Sequence, residues 1–369
     1  MSDQQQNQER ALKVVRDRID QVDRDIQRLL NERARCAQEV AEIKSRFDSQ
    51  DAIFYRPERE AQVLRRVMAR NEGPLPDQEV ARLFREIMSV CLALEQPLDV
   101  VFLGPEATFT QQAALKHFGH SVRCSSVDSL EAVFRDVESG HANYGVVPIE
   151  NAADGMISHT LDLFSRFNVS ICGEVELRTH QHLLMSSAVS LEQLEVIYAH
   201  PFALNQCRTW LDAHCPDIER VAVSSNAEAA RRVKDSSGVA AAIGGDIAAD
   251  LFELEVVQAN IEDQPDNTTR YLVIGRQVVG PSGQDKTSIL LMVHDRPGVL
   301  YELLDPFRKR NISLTRVESR AAPQSDWDML FYLDFEGHSE EAAVQQVLAE
   351  LESGSVELKL LGSYPKAVL

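Results

Sequence analysis

RDRIDQVDRDIQRLLNERARCAQEVAEIK, residues 16–44, decides how the N-terminal part of this chain folds. Apolar residues recur at Leu12, Val15, Ile19, Val22, Ile26, Leu29, Cys36, Val40, Ile43 and Phe47. The spacing alternates three and four, the seam of one helix meeting another. Residues 1–72 contain no glycine, which suits long helices because glycine weakens a helix interior. The pattern predicts one helix over about residues 8–47. At ~1.5 Å per residue it would span ~60 Å, too long to fold back on a small domain. It is expected to pack against a second copy of the chain.

One seam position breaks the pattern: residue 33 should be apolar and is arginine. A buried guanidinium is costly unless an anion or a carboxylate meets it. A carboxylate partner acting as a register device and a bound anion both satisfy that need. At ~100° per residue Lys44 falls ~20° from Arg33, on the same face, whereas Arg16 falls ~100° away. Arg16 is therefore better placed to serve a partner's site. Two more helices follow. One opens near Pro57, a favoured first-turn residue, and sets Arg59 and Glu60 one turn before Val63 and Leu64. The other, about 77–95, carries Val80, Leu83, Phe84, Ile87, Cys91 and Leu94 as a stripe with Glu95 at its edge. Several cations and two acids thus converge on an apolar interior.

After Pro97 the texture changes. Short β-rich runs such as Val100–Leu103 and Tyr144–Ile149 alternate with helical stretches, an α/β pattern. A linker follows at Gly280-Pro281-Ser282-Gly283. The tail then reads strand 287–293, helix 298–310, strand 312–319, strand 327–335, helix 339–352, strand 355–361, the ferredoxin-like βαββαβ order. The expected division is 1–96, 98–278 and 285–365: a multidomain chain of all-α, then α/β, then α+β fold.

Residues 1–96 hold 17 Lys and Arg against 18 Asp and Glu, and the remainder 21 against 39. The formal net charge of −19 argues against nucleic-acid binding. The polar start MSDQQQNQER has no apolar signal core, and no apolar run is long enough to span a bilayer. The six cysteines form no CxxC pair and no metal-ligand spacing. A cytoplasmic, reduced protein without metal, cofactor or membrane contact is expected.

With FYRPEREAQVL (54–64) and RLFREIMSVCLALE (82–95), the opening stretch resembles the all-helical chorismate mutase family. The resemblance implies an intertwined homodimer in which Arg16 is donated across chains. Arg33, Lys44 and Arg59 would hold the carboxylates and ether oxygen of chorismate. Glu60 would accept from its hydroxyl, and Arg56 and Cys91 would line the site. A Claisen rearrangement needs neither nucleophile nor proton transfer; it needs one conformer held and the growing negative charge on the ether oxygen stabilised. Where some members carry glutamine, this chain has Glu95. A glutamate donates to that oxygen only when protonated, so burial and nearby Glu60 are expected to raise its pKa against the pull of the cations.

FLGPEATF (102–109), YGVVPIEN (144–151), YAHPFALNQC (198–207) and NTTRYLVIG (267–275) resemble prephenate dehydratase. The glycine turn before Thr108 feeds a helix N-terminus, and polar residues at strand C-termini face ligand crevices in open sheets. The family implies two subdomains similar to periplasmic binding proteins, with the site in the cleft. Thr269 is then the residue most tied to activity, Arg270 stands alongside, and Glu150, Asn151, His200 and Gln206 line the cleft. The proton for the departing hydroxyl can come from Thr269, Glu150 or a water. Ala152 and Tyr271 stand where a hydroxyl residue and phenylalanine are common.

RPGVLYELL (296–304) and ISLTRVESRA (312–321) resemble the ACT regulatory domain. That implies phenylalanine held by Pro297, Gly298, Val299 and Leu300 together with Asn311, Leu314, Glu318, Ser319 and Arg320, drawn from two chains. Inhibition by phenylalanine would need a coupling of ~1–3 kcal/mol between sites. A non-catalytic amino-acid sensor would be expected to have lost several of Arg16, Arg33, Lys44, Arg59, Glu60 and Thr269; all are present. The alternative of a mutase with an inactive dehydratase half would show itself by forming no product from added prephenate.

Overall fold

The computed structural model describes residues 3–47, 53–152, 155–186, 193–236, 239–322, 328–354 and 356–369. Helix α1 (Asp3–Phe47) begins ahead of the apolar seam, since the Gln-rich start contains no breaker. Helix α2 (Pro57–Ala69) opens on its proline, and α3 (Asp77–Glu95) packs against both α1 and α2. Among the described residues much of the α1 seam is uncovered: Val15, Ile19 and Leu29 are 55%, 52% and 54% exposed. Burying such a side chain is worth ~1.5–3 kcal/mol, so this face is built to be covered.

The α/β region opens with β1 (Asp99–Leu103), α4 (Phe109–Phe118), β2 (Arg123–Val127), α5 (Leu130–Ser139), β3 (Tyr144–Asn151), β4 (Gly155–Met156), α6 (Ser158–Arg166) and β5 (Ser170–Arg178). The chain then crosses into a second unit. This comprises β6 (His182–Met185), β7 (Val196–Ala199), α7 (Pro201–Gln206), α8 (Arg208–His214), β8 (Glu219–Ala222), α9 (Asn226–Asp235), β9 (Ala240–Gly244), α10 (Asp246–Phe252) and β10 (Glu255–Gln258). It returns as β11 (Thr268–Gly275), which inserts between β3 and β5, antiparallel to both. The sheets run β2-β1-β3-β11-β5 and β10-β6-β9-β7-β8. The insertion brings residue 269 beside residue 151, and two crossings of the chain join the units.

The last region comprises β12 (Asp285–Val293), α11 (Val299–Lys309), β13 (Leu314–Ala321), β14 (Met329–Glu336), α12 (Ala342–Glu352) and β15 (Val356–Pro365), in sheet order β13-β14-β12-β15. Part of the expected strands at 327 and 355 lies outside the described residues. The sheet is buried on both faces. Ile289, Leu291, Leu333 and Phe335 pack under α11 and α12, while the alternate residues Leu290 and Tyr332 join Leu161, Phe164 and Ile171 of the first α/β unit. Alternation along the strands thus makes one sheet serve two cores.

A tyrosine ties the helices to the α/β region. Tyr55 is buried among Leu98, Phe118 and Tyr144, and its hydroxyl meets His117 Nε2 at 3.0 Å. Burial, aided by Arg85, pushes His117 down to about 3, so the ring stays neutral.

Candidate active sites

A cleft of about 310 Å³ opens between the two α/β sheets. Its floor is the junction of β3 and β11, where Asn151 Nδ2 donates to Thr269 Oγ1 at 2.8 Å. Thr108 and Thr110 at the start of α4 form one wall; His200 and Gln206 of the second unit form another. Gly245 lets the walls approach: a Cβ there would lie 2.7 Å from the Phe109 ring. Tyr271 also lines the cleft. Burial raises its phenol, opposed by hydrogen bonds to Thr269 and Thr110.

His200 caps α7, its Nδ1 accepting from Phe202 N at 3.3 Å, and burial lowers its pKa. It is a neutral wall residue. Among the lining residues that no motif reading singled out are Gln181 and Asn226. Gln181 Nε2 donates to Gln206 Oε1 at 3.1 Å and its Oε1 accepts from Asn226 Nδ2 at 3.3 Å. That amide chain leaves Gln206 Nε2 buried with no hydrogen-bond partner among the described residues. The available signal was position, since Gln181 sits on the crossing between units.

Two expected cleft residues point elsewhere. Consecutive strand residues project to opposite faces, so Arg270 cannot accompany Thr269 and Glu150 cannot accompany Asn151. Arg270 instead bonds Glu174, Asp334 and the Tyr364 hydroxyl, and Glu150 pairs with Arg316. Both face the C-terminal sheet.

In the helical region Arg33, Lys44 and Glu95 gather as the seam predicts. Arg33 Nη1 reaches the Ile87 carbonyl at 3.4 Å, and Lys44 Nζ reaches the Ile53 carbonyl at 3.0 Å. Ile87, Cys91 and Glu95 stand four apart, on one face of α3. Burial raises the Glu95 pKa, while Lys44 and then Arg33 pull it down. Glu60 has no part in that shift. Its side chain turns to the other side of α2, where Arg85 Nε lies 3.6 Å from it and Arg85 Nη1 donates to the Lys116 and His117 carbonyls. Burial raises Glu60 as well, against Arg85. Arg56 and Arg59 are exposed, and Arg56 pairs with Glu58 at 3.7 Å. Arg16 is exposed seventeen residues before Arg33 on the same helix, ~25 Å away, beyond reach within one chain.

At the C-terminal sheet, Gly298 takes a positive φ of 90° as the N-cap of α11, and Asn311 one of 54° after its end. Pro297, Val299 and Leu300 share that helix entry. A register irregularity between Leu314 and Arg316 sets Leu314, opposite Phe335, on the helix-packed face of β13 with Ser319, while Glu318 and Arg320 share the other face. Arg320 pairs with Asp162 of α6 at 3.3 Å. Among the described residues no His, Cys, Asp and Glu group could hold a metal, and no helix is long and apolar enough to cross a membrane.

Comparison with known proteins gives three family matches in order: chorismate mutase type II at residues 15–96, prephenate dehydratase at 100–278 and the ACT domain at 287–353. The bifunctional chorismate mutase/prephenate dehydratase of Pseudomonas aeruginosa is 52% identical over 100% of both chains. That of Stutzerimonas stutzeri is 53% identical over 97% of this chain and 98% of the relative. A crystal structure of prephenate dehydratase in complex with L-Phe from Arthrobacter aurescens superposes with TM-score 0.68 at 31% identity, covering 73% of this chain and 90% of that one. With helical site, two-sheet cleft and C-terminal sheet in the same order along the whole length, the chain belongs to the bifunctional chorismate mutase/prephenate dehydratase family.

Proposed function

We propose that residues 1–96 rearrange chorismate to prephenate, residues 98–278 convert prephenate to phenylpyruvate, and residues 285–365 bind L-phenylalanine as inhibitor. The observation that carries the dehydratase half is the Asn151–Thr269 pair on the cleft floor. Because Asn151 donates to Thr269 Oγ1, the threonine uses its own proton as a donor, to the Tyr271 hydroxyl it bonds or to a substrate group that takes that place. In prephenate the C–C bond to the departing carboxylate supplies the electron pair that completes the aromatic ring. The C–O bond carries its pair away with the hydroxyl, which takes a proton and leaves as water. Aromatisation drives the step, so the protein has only to polarise the hydroxyl and avoid over-stabilising the carboxylate. Thr269 is the donor to that hydroxyl. Gln206 and the start of α4 offer N–H groups to the carboxylates.

In the mutase half Arg33 and Lys44 meet the carboxylates of chorismate, and Glu95, protonated, donates to the ether oxygen. The covering of α1 by a second copy completes this site with Arg16 of the other chain. A homodimer is therefore part of the reading. Glu60, paired with Arg85 on the other side of α2, stands behind this site.

The test is to incubate purified protein with chorismate and follow phenylpyruvate, with and without L-phenylalanine. Phenylpyruvate that is suppressed by phenylalanine supports all three assignments. Prephenate accumulating without phenylpyruvate leaves the mutase assignment alone standing.

A further inference from the structure

The face of the cleft floor that substrate would never see carries a cluster of buried charge. Arg270 is 9% exposed. Its Nε donates to Glu174 at 2.9 Å, its Nη1 to Asp334 at 2.7 Å and its Nη2 to the Tyr364 hydroxyl at 3.0 Å. Glu174 also receives Lys286 Nζ at 2.9 Å. Asp334 accepts from Ser288 Oγ at 2.6 Å, and Ser288 meets the Tyr364 hydroxyl at 2.8 Å. Directly opposite Arg270 in register on β3, Glu150 is ion-paired with Arg316. Of these partners Asp334, Tyr364, Lys286, Ser288 and Arg316 all belong to the C-terminal sheet. The sheets also meet backbone to backbone: a Cβ at Gly362 of β15 would fall 2.3 Å from the Ile171 carbonyl oxygen of β5.

Burying such a network costs desolvation, and an apolar replacement of the same shape is often as stable. What the network supplies is position. A planar guanidinium gripped on three sides has one place to be. Arg270 and Glu150 adjoin, in sequence, the two residues that meet on the cleft floor. Sliding of β13 or β14 against the first α/β sheet would strain these two links, because packed interfaces shift between discrete arrangements rather than deform.

We propose that Arg270 and Glu150 are positioning residues for Thr269 and Asn151, held by the C-terminal sheet through Asp334 and Arg316. The occupancy of that sheet's regulatory site then acts on the dehydratase cleft through these two links. This rests on the reading of the cleft as the dehydratase site and of the C-terminal region as the phenylalanine site.

The experiment compares the full-length protein with its D334N and R316Q variants. It measures prephenate turnover, L-phenylalanine inhibition, L-phenylalanine binding by calorimetry and, as an internal control of folding, chorismate mutase activity. Both variants are expected to lose at least tenfold in dehydratase kcat with KM for prephenate changed less than threefold. The phenylalanine concentration for half inhibition should rise at least tenfold while its dissociation constant moves less than threefold. Mutase activity should be retained. If D334N fails to fold, R316Q alone decides, since its side chain is about a third exposed and removes a single ion pair. Unchanged kcat and unchanged inhibition in a folded variant would overturn the proposal, as would inhibition lost only in proportion to binding. Failure of the unmodified protein to form phenylpyruvate, or to bind phenylalanine, would instead strike the underlying reading.

Discussion

The cleft between the two α/β sheets is built within one chain, with Asn151 and Thr269 bonded at 2.8 Å. The helical site is not: Arg33, Lys44 and Glu95 gather near one end of α1, while Arg16 stands ~25 Å toward the other. The difference follows from the secondary structure. A sheet returns the chain on itself every few residues, so a late strand can insert beside an early one and finish a site. A helix carries its residues steadily apart, and a site spread along it closes only when another helix lies beside it. The sharpest way to break the contrast is to split the helical site between chains. R16A and R33A should each lower mutase kcat/KM by ~1000-fold, the scale of losing a charge that meets developing negative charge in a dry site. Mixed and allowed to exchange, the two should recover about a quarter of normal activity, because half of the dimers are mixed and each has one intact site. No recovery would mean that each site is served by its own chain.

The complementary test asks whether the cleft depends on its own chain alone. T269V preserves shape and removes the hydroxyl. Dehydratase kcat should fall ~100-fold, the usual worth of one donor to a departing or developing charge. Mutase activity should be untouched, and mixing with an unmodified chain should rescue nothing beyond that chain's own share. A loss below threefold would leave the protonation of the hydroxyl to another group.

How far each region could be read from the sequence follows the same contrast. The seam of α1 has a period, so the misplaced Arg33 and its neighbour Lys44 were legible, and both lie by Glu95 in the fold. Glu60 was not. Its position one turn before Val63 and Leu64 marks it as interior, but α2 has an interior on two sides, and Arg85 with the α4 carbonyls claims it from the second. Nothing in residues 54–64 announces that α4 lies there. In the cleft, motif proximity placed Thr269 and Asn151 but carried Arg270 and Glu150 along with them. The alternation of side chains along a strand was enough to separate the pairs. Gln181 and Asn226 come from segments without a motif, and only the crossing of the chain between units brings them together.

The smallest effect tests the chemistry that the helical site uses in place of a proton donor of ordinary strength. Burial is the largest influence on Glu95 and raises its pKa; Lys44 and Arg33 oppose it. A raised pKa keeps the carboxyl protonated, and able to donate to the ether oxygen, to a higher pH than an ordinary glutamic acid. As pH climbs through that value the proton is lost, and the carboxylate left behind repels the charge developing on the oxygen. Mutase kcat/KM should therefore decline severalfold with rising pH while prephenate turnover in the same samples does not follow it. E95Q replaces the acid by an amide that donates at every pH, so its mutase profile should be flat. A flat profile in the unmodified protein would show that Lys44 and Arg33 already hold Glu95 ionised across the range. The ether oxygen would then be met by a cation alone. A declining profile that survives in E95Q would assign the titration to another group, of which Lys44, in the same site and lowered by burial, is the first candidate.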